Sequence, residues 1–426
     1  MKIHPYFLVF ALSVVSSATH AKPAAGYEGM VSTAHPAASE AGVAMLRQGG
    51  NAADAAAAAA FTLAVAEPYS SGIGGGGFAL TSFKGSQAFL DFREVAPMEA
   101  HRDMYLTEGV PNKRLSRDGV LAAGVPGAVA GYLDLHARWG ALSRAQIMQP
   151  AITLAREGFK VTPRYVAYVK RRLEVLSRDP EMARVFLVPS PEGEGHVAPP
   201  VGHLLRQPDL ARTLTLIAQR GAQAFYTGTI AKRLVADMST RGGLISARDL
   251  STYQVRDRQP LVGSYRGHAI VSSPPPSSGG QILLTLLNIM ETLPADTPWR
   301  SLEALHLYIE GSKRAFADRA LLGDPLFVPY LDALLPNLLT KDRARLIAKI
   351  ITPTATPATA IPAAQGSQVP PGLHTDIFGP QSAGRDTTHL SVLDKHGNAV
   401  SMTTTINPGW GAGVVARDTG VVWNNE

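Results

Sequence analysis

Apolar and polar residues alternate most sharply near the C-terminal end of the chain. There "THLSVLD" (388–394) alternates with period two, "KHGN" supplies a turn, and "AVSMTTTI" (399–406) alternates again. That pattern predicts a β-hairpin, and "GVVARDTGVVWNN" (413–425) predicts another strand pair. Nearer the start, "HPAASEAGVAMLRQGG" predicts a helix from Pro36 to Gln48, with proline in the first turn and Gly49-Gly50 as the stop. Asn51 is placed to cap a second helix, "AADAAAAAAFTLAVAE", which is apolar almost all round and is therefore expected to be buried. "FALTSF" and "AFLDFRE" predict a hairpin turning at Lys84-Gly85-Ser86, with Arg93 where its second strand ends.

The middle of the chain carries helical patterns. They include "VPGAVAGYLDLHARWG", "SRAQIMQPAITLAREGF", "RYVAYVKRRLEVL", "PDLARTLTLIAQRG", "GTIAKRLVADMSTRGG" and "PPSSGGQILLTLLNIME", some of them separated by strands such as "PLVGSYRGHAIVSS". Alternation of this kind predicts mixed α and β layers around a common sheet. The segment from Thr352 to Gly372 is rich in Pro, Thr and Ala and reads as a flexible linker leading to Asp386-Thr387-Thr388. The glycines of "SSGIGGGGFAL" at 72, 74 and 77 have dinucleotide-fingerprint spacing. The order is wrong for that use, because a helix precedes them and a strand follows, whereas a phosphate cradle needs the reverse. Backbone that must pass close to a neighbour, or take positive φ, is the better expectation.

Composition sharpens this picture. The 426 residues are 45% hydrophobic and 17% charged, a globular balance that permits a sizeable core. Lys2 and His4 precede the apolar run Phe7–Val15 and the small, polar stretch ending at Ala21. That order predicts a secretory signal peptide over 1–21, with an apolar run too short to span a bilayer. Export to a bacterial periplasm or to the medium is expected. Without cysteine there are no disulfides and no thiol nucleophile. The net charge is +6, but its densest cluster, Lys170–Arg178, is interleaved with Leu173, Val175 and Leu176 and predicts an amphipathic helix with a solvated basic face. No nucleic-acid partner is expected from it. The twelve histidines show no ligand spacing, so neither a metal nor another cofactor is expected.

The chemistry concentrates at Asp386-Thr387-Thr388. A threonine hydroxyl needs a base, and an N-terminal threonine carries its own in the α-amine, whose ordinary pKa is about 7.7–8.0. An internal threonine must first be freed. Thr387, at the junction of linker and strand, could attack the Asp386 carbonyl to give an ester that water opens. By spacing alone, a plain loop entering a hairpin remains an alternative.

The segments "GNAADAAAAAAFTLAVAEPYSSGIGGGGF", "LDFREVAP", "GVPGAVAGYLDLHARWG", "PPPSSGGQ", "SKRAFADRALLGDP" and "TTHLSVLDKHGNAVSMTTTIN" together resemble the gamma-glutamyltransferase, or glutathione hydrolase, family of N-terminal-nucleophile hydrolases. The likeness covers nearly all of the chain after residue 21. It implies a four-layer αββα sandwich of α/β (α+β) class. It also implies a precursor cut between Asp386 and Thr387 into a large-subunit region, 22–386 with a linker over 352–386, and a small-subunit region starting at 387. Thr387 would then attack the γ-glutamyl amide of glutathione or a similar compound, and water or an acceptor amine would resolve the acyl-enzyme.

By matching position, Thr405 would assist the nucleophile. Arg93 would pair with the substrate α-carboxylate, Asn407 would bind substrate, and Glu426 would hold the α-amine. Family chains continue past "NNE" with an aspartate for the amine, a serine pair for the carboxylate and a glycine pair forming the oxyanion hole. This sequence stops at Glu426, so 387–426 is expected to be a truncated small-subunit region. A lost oxyanion donor costs ~100- to 1,000-fold in rate, so a poorly active or inactive fragment is one expectation. A related acylase acting on another amide, such as a cephalosporin side chain, is a further one.

Overall fold

The structure, a computed structural model, describes residues 25–366 and 386–426. The expected signal peptide and residues 367–385 of the expected linker lie outside the described residues. The largest sheet is antiparallel and six-stranded. Its strands are β1 (Gly29–Ser32), β2 (Gly76–Phe83), β3 (Ser86–Asp91), β4 (Arg256–Arg258), β5 (Thr388–Asp394) and β6 (Ala399–Thr405), in the order β1-β5-β6-β2-β3-β4. The predicted β5–β6 hairpin thus sits in the middle of the sheet, between strands from more than 300 residues earlier.

One face of this sheet is buried. Leu390 and Val392 of β5, Val400 and Met402 of β6 and Ala79 of β2 pack against helix α2 (Ala52–Ala66). Every residue of α2 is buried, as its all-round apolar pattern predicts. Its start is fixed by a capping box between Asn51 and Asp54. Burial opposes ionisation of Asp54, but hydrogen bonds from His136 and from the Ala141, Asn51 and Leu142 amides outweigh it and hold the carboxyl below its ordinary range. Around α2 lie α1 (Pro36–Arg47), α3 (Ala128–Trp139) and α4 (Arg144–Glu157). Each fully buried Leu, Val or Met in this layer contributes roughly 1.5–3 kcal/mol.

Helix α3 starts at Ala128, two residues after Pro126. The Gly127 and Ala128 amides both donate to the Gly75 carbonyl at 2.9 Å, so the first turn of the helix is spent gripping the glycine loop. That loop explains its own composition. A Cβ on Gly75 would overlap the Thr405 carbonyl oxygen, and one on Gly77 the Thr403 carbonyl oxygen. No residue from Gly72 to Gly77 has positive φ, so close approach to β6, rather than backbone freedom, requires glycine there.

A second core forms under α5 (Pro163–Arg178) and α6 (Pro180–Phe186), where Tyr69, Tyr165, Phe186 and Trp410 meet. The basic cluster of α5 faces outward while Tyr165, Tyr168, Val169 and Leu176 are buried, as its pattern predicts. Residues 279–350 form a further helical layer: Gly279–Met290, Leu302–Asp318, Leu331–Leu338 and Lys341–Ile350. The described start of the linker is anchored to it. Thr356 N–H donates to Glu310, Ala364 N–H donates to Asp318, and Arg343 binds the Gln365 carbonyl. The α+β class agrees with expectation. Beyond the large sheet, the described β structure comprises two-stranded pairs, among them the hairpin Leu261–Tyr265/His268–Ser272, within a segment expected as strand, and the predicted pair Val415–Ala416/Val421–Val422.

Candidate active site

The register of the sheet assembles the candidate residues in one row. Thr388 pairs with Thr404, so Thr387 stands opposite Thr405. Thr405 pairs with Gly76, and Gly77 exchanges backbone hydrogen bonds with Phe92, which sets Arg93 opposite Gly76. Residues directly opposite each other point to the same face. Thr387, Thr405 and Arg93 therefore share the face turned away from α2, at one end of the sheet. From Thr387 to Arg93 is three strand spacings, roughly 14 Å between backbones.

At the Thr387 end, Thr387 Oγ1 donates to Thr405 Oγ1 at 3.3 Å. Thr405 Oγ1 also accepts the Asn407 N–H at 2.8 Å. Thr405 Oγ1 thus accepts from both the Thr387 hydroxyl and the Asn407 backbone. Asp386, whose carbonyl would be attacked in a self-cleavage, is held by a hydrogen bond from Gly409 N–H to its carboxylate at 2.9 Å. Asn407 turns the chain with φ 68°, the left-handed region that asparagine tolerates, and its buried side-chain Nδ2 has no hydrogen-bond partner.

At the other end, Arg93 and Glu426 form an ion pair, each about one-third exposed. The Arg93 guanidinium lies over the Phe78 ring, 5.8 Å from its centroid. A guanidinium and a carboxylate side by side, each partly open to solvent, are chemically suited to the carboxylate and the ammonium of an α-amino acid. The six residues singled out from the sequence thus fall into two groups, Asp386-Thr387-Thr405-Asn407 and Arg93-Glu426, on one end of the same sheet.

Two contributors escaped the sequence reading. Asn424 is fully buried and saturates its amide: Nδ2 donates to the Gly74 and Gly124 carbonyls at 2.8 and 2.7 Å, and Oδ1 accepts the Gly124 and Glu426 amides at 2.9 and 3.1 Å. It ties Glu426 to the glycine loop. Glu94 is buried, with the backbone amides of Glu94 and Gly76 facing its carboxyl. Burial pushes its pKa up to about 7, against the pull of the neighbouring Arg93 charge. The signal for both lay in the quoted motifs, where Glu94 follows Arg93 and Asn424 lies two residues before Glu426. A polar residue near a chosen one gives no sign of which way it faces.

Among the described residues no cluster of His, Asp or Glu is arranged to hold a metal ion, and no helix is long and apolar enough to cross a membrane.

Comparison with known proteins identifies relatives of the chain. The gamma-glutamyltranspeptidase family model matches residues 38–426. A glutathione hydrolase proenzyme from Pseudomonas sp. strain A14 is 40% identical over 420 residues, covering 98% of this chain and 69% of that protein. The acylase ACY 1 proenzyme from Pseudomonas sp. strain V22 is also 40% identical, over 414 residues, covering 95% of this chain and 70% of that protein. The crystal structure of Helicobacter pylori gamma-glutamyltranspeptidase superposes with a TM-score of 0.75 at 36% identity, covering 84% of this chain and all of that one.

Proposed function

The chain belongs to the gamma-glutamyltranspeptidase family, and from that premise we propose that it is a self-processing gamma-glutamyl hydrolase/transferase with glutathione as a substrate. The precursor cuts itself between Asp386 and Thr387. The hydroxyl of Thr387 attacks the Asp386 carbonyl, the peptide nitrogen leaves as the new α-amine, and water opens the ester. The freed α-amine then serves as base, Thr387 Oγ1 attacks the γ-glutamyl carbonyl, and the amine of the leaving group departs protonated. Thr405 supports the developing charge on Thr387. Arg93 takes the substrate α-carboxylate, Glu426 the α-ammonium, and Asn407 contributes its unpaired amide. Water or an acceptor amine releases the glutamyl group. Residues 22–386 form the large-subunit region, with 352–386 as the linker before the cleavage site, and 387–426 belong to the small-subunit region. Residues 1–21 direct export to the periplasm or beyond.

The observation that carries this reading is the hydroxyl contact between Thr387 and Thr405, with the Arg93–Glu426 pair on the same sheet end. Intact-mass analysis tests it. Two fragments split before Thr387, together with turnover of a γ-glutamyl anilide that is lost in Thr387→Ala, are the expected result. A chain that turns over the anilide while remaining uncut would overturn it.

An acylase acting on a different amide is a second reading, favoured by the equal identity to acylase ACY 1. Overall likeness does not separate the two, but an Arg93 variant would. If Arg93→Ala retains full γ-glutamyl turnover, the acylase reading prevails.

A further inference from the structure

Behind the nucleophile, on the α2 side of the sheet, lies a carboxylate that the reaction scheme does not use. Glu67 is fully buried at the C-terminal end of α2. This is an unfavourable place for an anion, because the helix presents partial negative charge there and burial removes water. Three groups offset the cost. The Thr388 hydroxyl donates to Oε2 at 2.9 Å, the Tyr69 hydroxyl donates to Oε1 at 3.2 Å, and Arg164 stands 3.9 Å from Oε1. The Tyr69 hydroxyl is held protonated by burial and by the Glu67 charge, so it remains a donor.

The residues after Glu67 grip the other strand of the pair. The Ser70 carbonyl accepts the Ile406 amide at 3.4 Å, and the Tyr69 carbonyl accepts the Trp410 amide at 3.0 Å. One short segment, 67–70, is therefore bonded to the residue after Thr387 and to the residue after Thr405.

We propose that Glu67 is a positioning residue of the Thr387 centre. Its carboxylate holds the Thr388 hydroxyl, and the segment it starts holds the exit of β6, so that the two reactive hydroxyls stay in contact before and after the chain is cut. A packing role alone would be better served by an apolar side chain. The inference rests on the proposed function, since it concerns the geometry of that same nucleophile.

The test compares Glu67→Gln, Thr388→Val and Thr388→Ser in the full chain. The readouts are the rate at which the Thr387 N-terminus appears by intact mass, and kcat and KM of the cut enzyme on a γ-glutamyl anilide. A lost hydrogen bond to a charged group corresponds to roughly 10- to 100-fold. Glu67→Gln and Thr388→Val are each expected to slow self-cleavage and kcat by that factor with KM within about twofold. Thr388→Ser, which keeps the hydroxyl, is expected to behave as wild type. Should Glu67→Gln fail to fold, the Thr388 pair decides. A Thr388→Val chain that cuts and turns over as fast as Thr388→Ser, or that loses only in KM, overturns the inference. A wild-type chain that never cuts overturns the proposed function instead.

Discussion

Thr387 and Thr388 are adjacent and chemically identical, yet the sheet sends them to opposite worlds. Thr387 is exposed and meets the hydroxyl of Thr405, whereas Thr388 is buried and meets the carboxylate of Glu67. Thr405 and Thr404 repeat the contrast on β6, where Thr404 is buried against the Tyr132 hydroxyl. The same division runs along the strands. Leu390, Val392 and Met402 face α2, while His389, Ser391 and Ser401 lie on the far face and hydrogen-bond among themselves. Period-two alternation thus separates a buried face from an exposed one within one hairpin, and Thr388, bonded to Glu67, is the buried residue proposed to act on the exposed face.

The largest expected effect is on the reactive face. Thr387→Ala should abolish self-cleavage outright while leaving the thermal melting temperature within a few degrees of wild type, measurable by intact mass and calorimetry. The buried face should show the converse. Met402→Ala, a large-to-small change in the core, is expected to cost about 2–5 kcal/mol in denaturant unfolding. A Met402→Ala chain that keeps full stability would break the division.

Glu94 sharpens the comparison because it is a titrating group buried beside the site. Its folded pKa of about 7 lies above the ordinary value of 4.5. The unfolded chain ionises first, so stability falls as pH rises from about 4.5 to about 7 and stays lower above that. The shift corresponds to roughly 3 kcal/mol, and Glu94→Gln should flatten the unfolding free energy over this window. An unchanged pH profile would mean that Glu94 ionises without penalty. At the binding end, Arg93→Ala should raise KM for a γ-glutamyl anilide by roughly 10- to 100-fold, the value of charged hydrogen bonds, with a smaller change in melting temperature. Smallest of all, Ser391→Ala on the exposed face should change stability by no more than about 0.5 kcal/mol.

Much of the scaffold was legible in local pattern. The all-apolar α2, its Asn51 cap, the hairpin around "KHGN" and the paired strands near the chain's end follow from periodicity and turn chemistry, which act over a few residues. The glycine run was also legible as a place of close approach, although the partner was not: β6 lies more than 300 residues away.

What local pattern by itself determined is which residues alternate, cap and turn, and, through the likeness of its motifs, which threonine to watch. Tertiary structure alone decided which strand stands beside β5, and so which residues share the row of Thr387. It also decided that Glu67 reaches Thr388, that Asn424 fastens Glu426 to Gly74, and that Glu94 lies out of water. These are contacts across 300 residues or more for Thr388 and Asn424. Their energy depends on burial and on the identity of a distant partner, quantities that no short window of sequence contains.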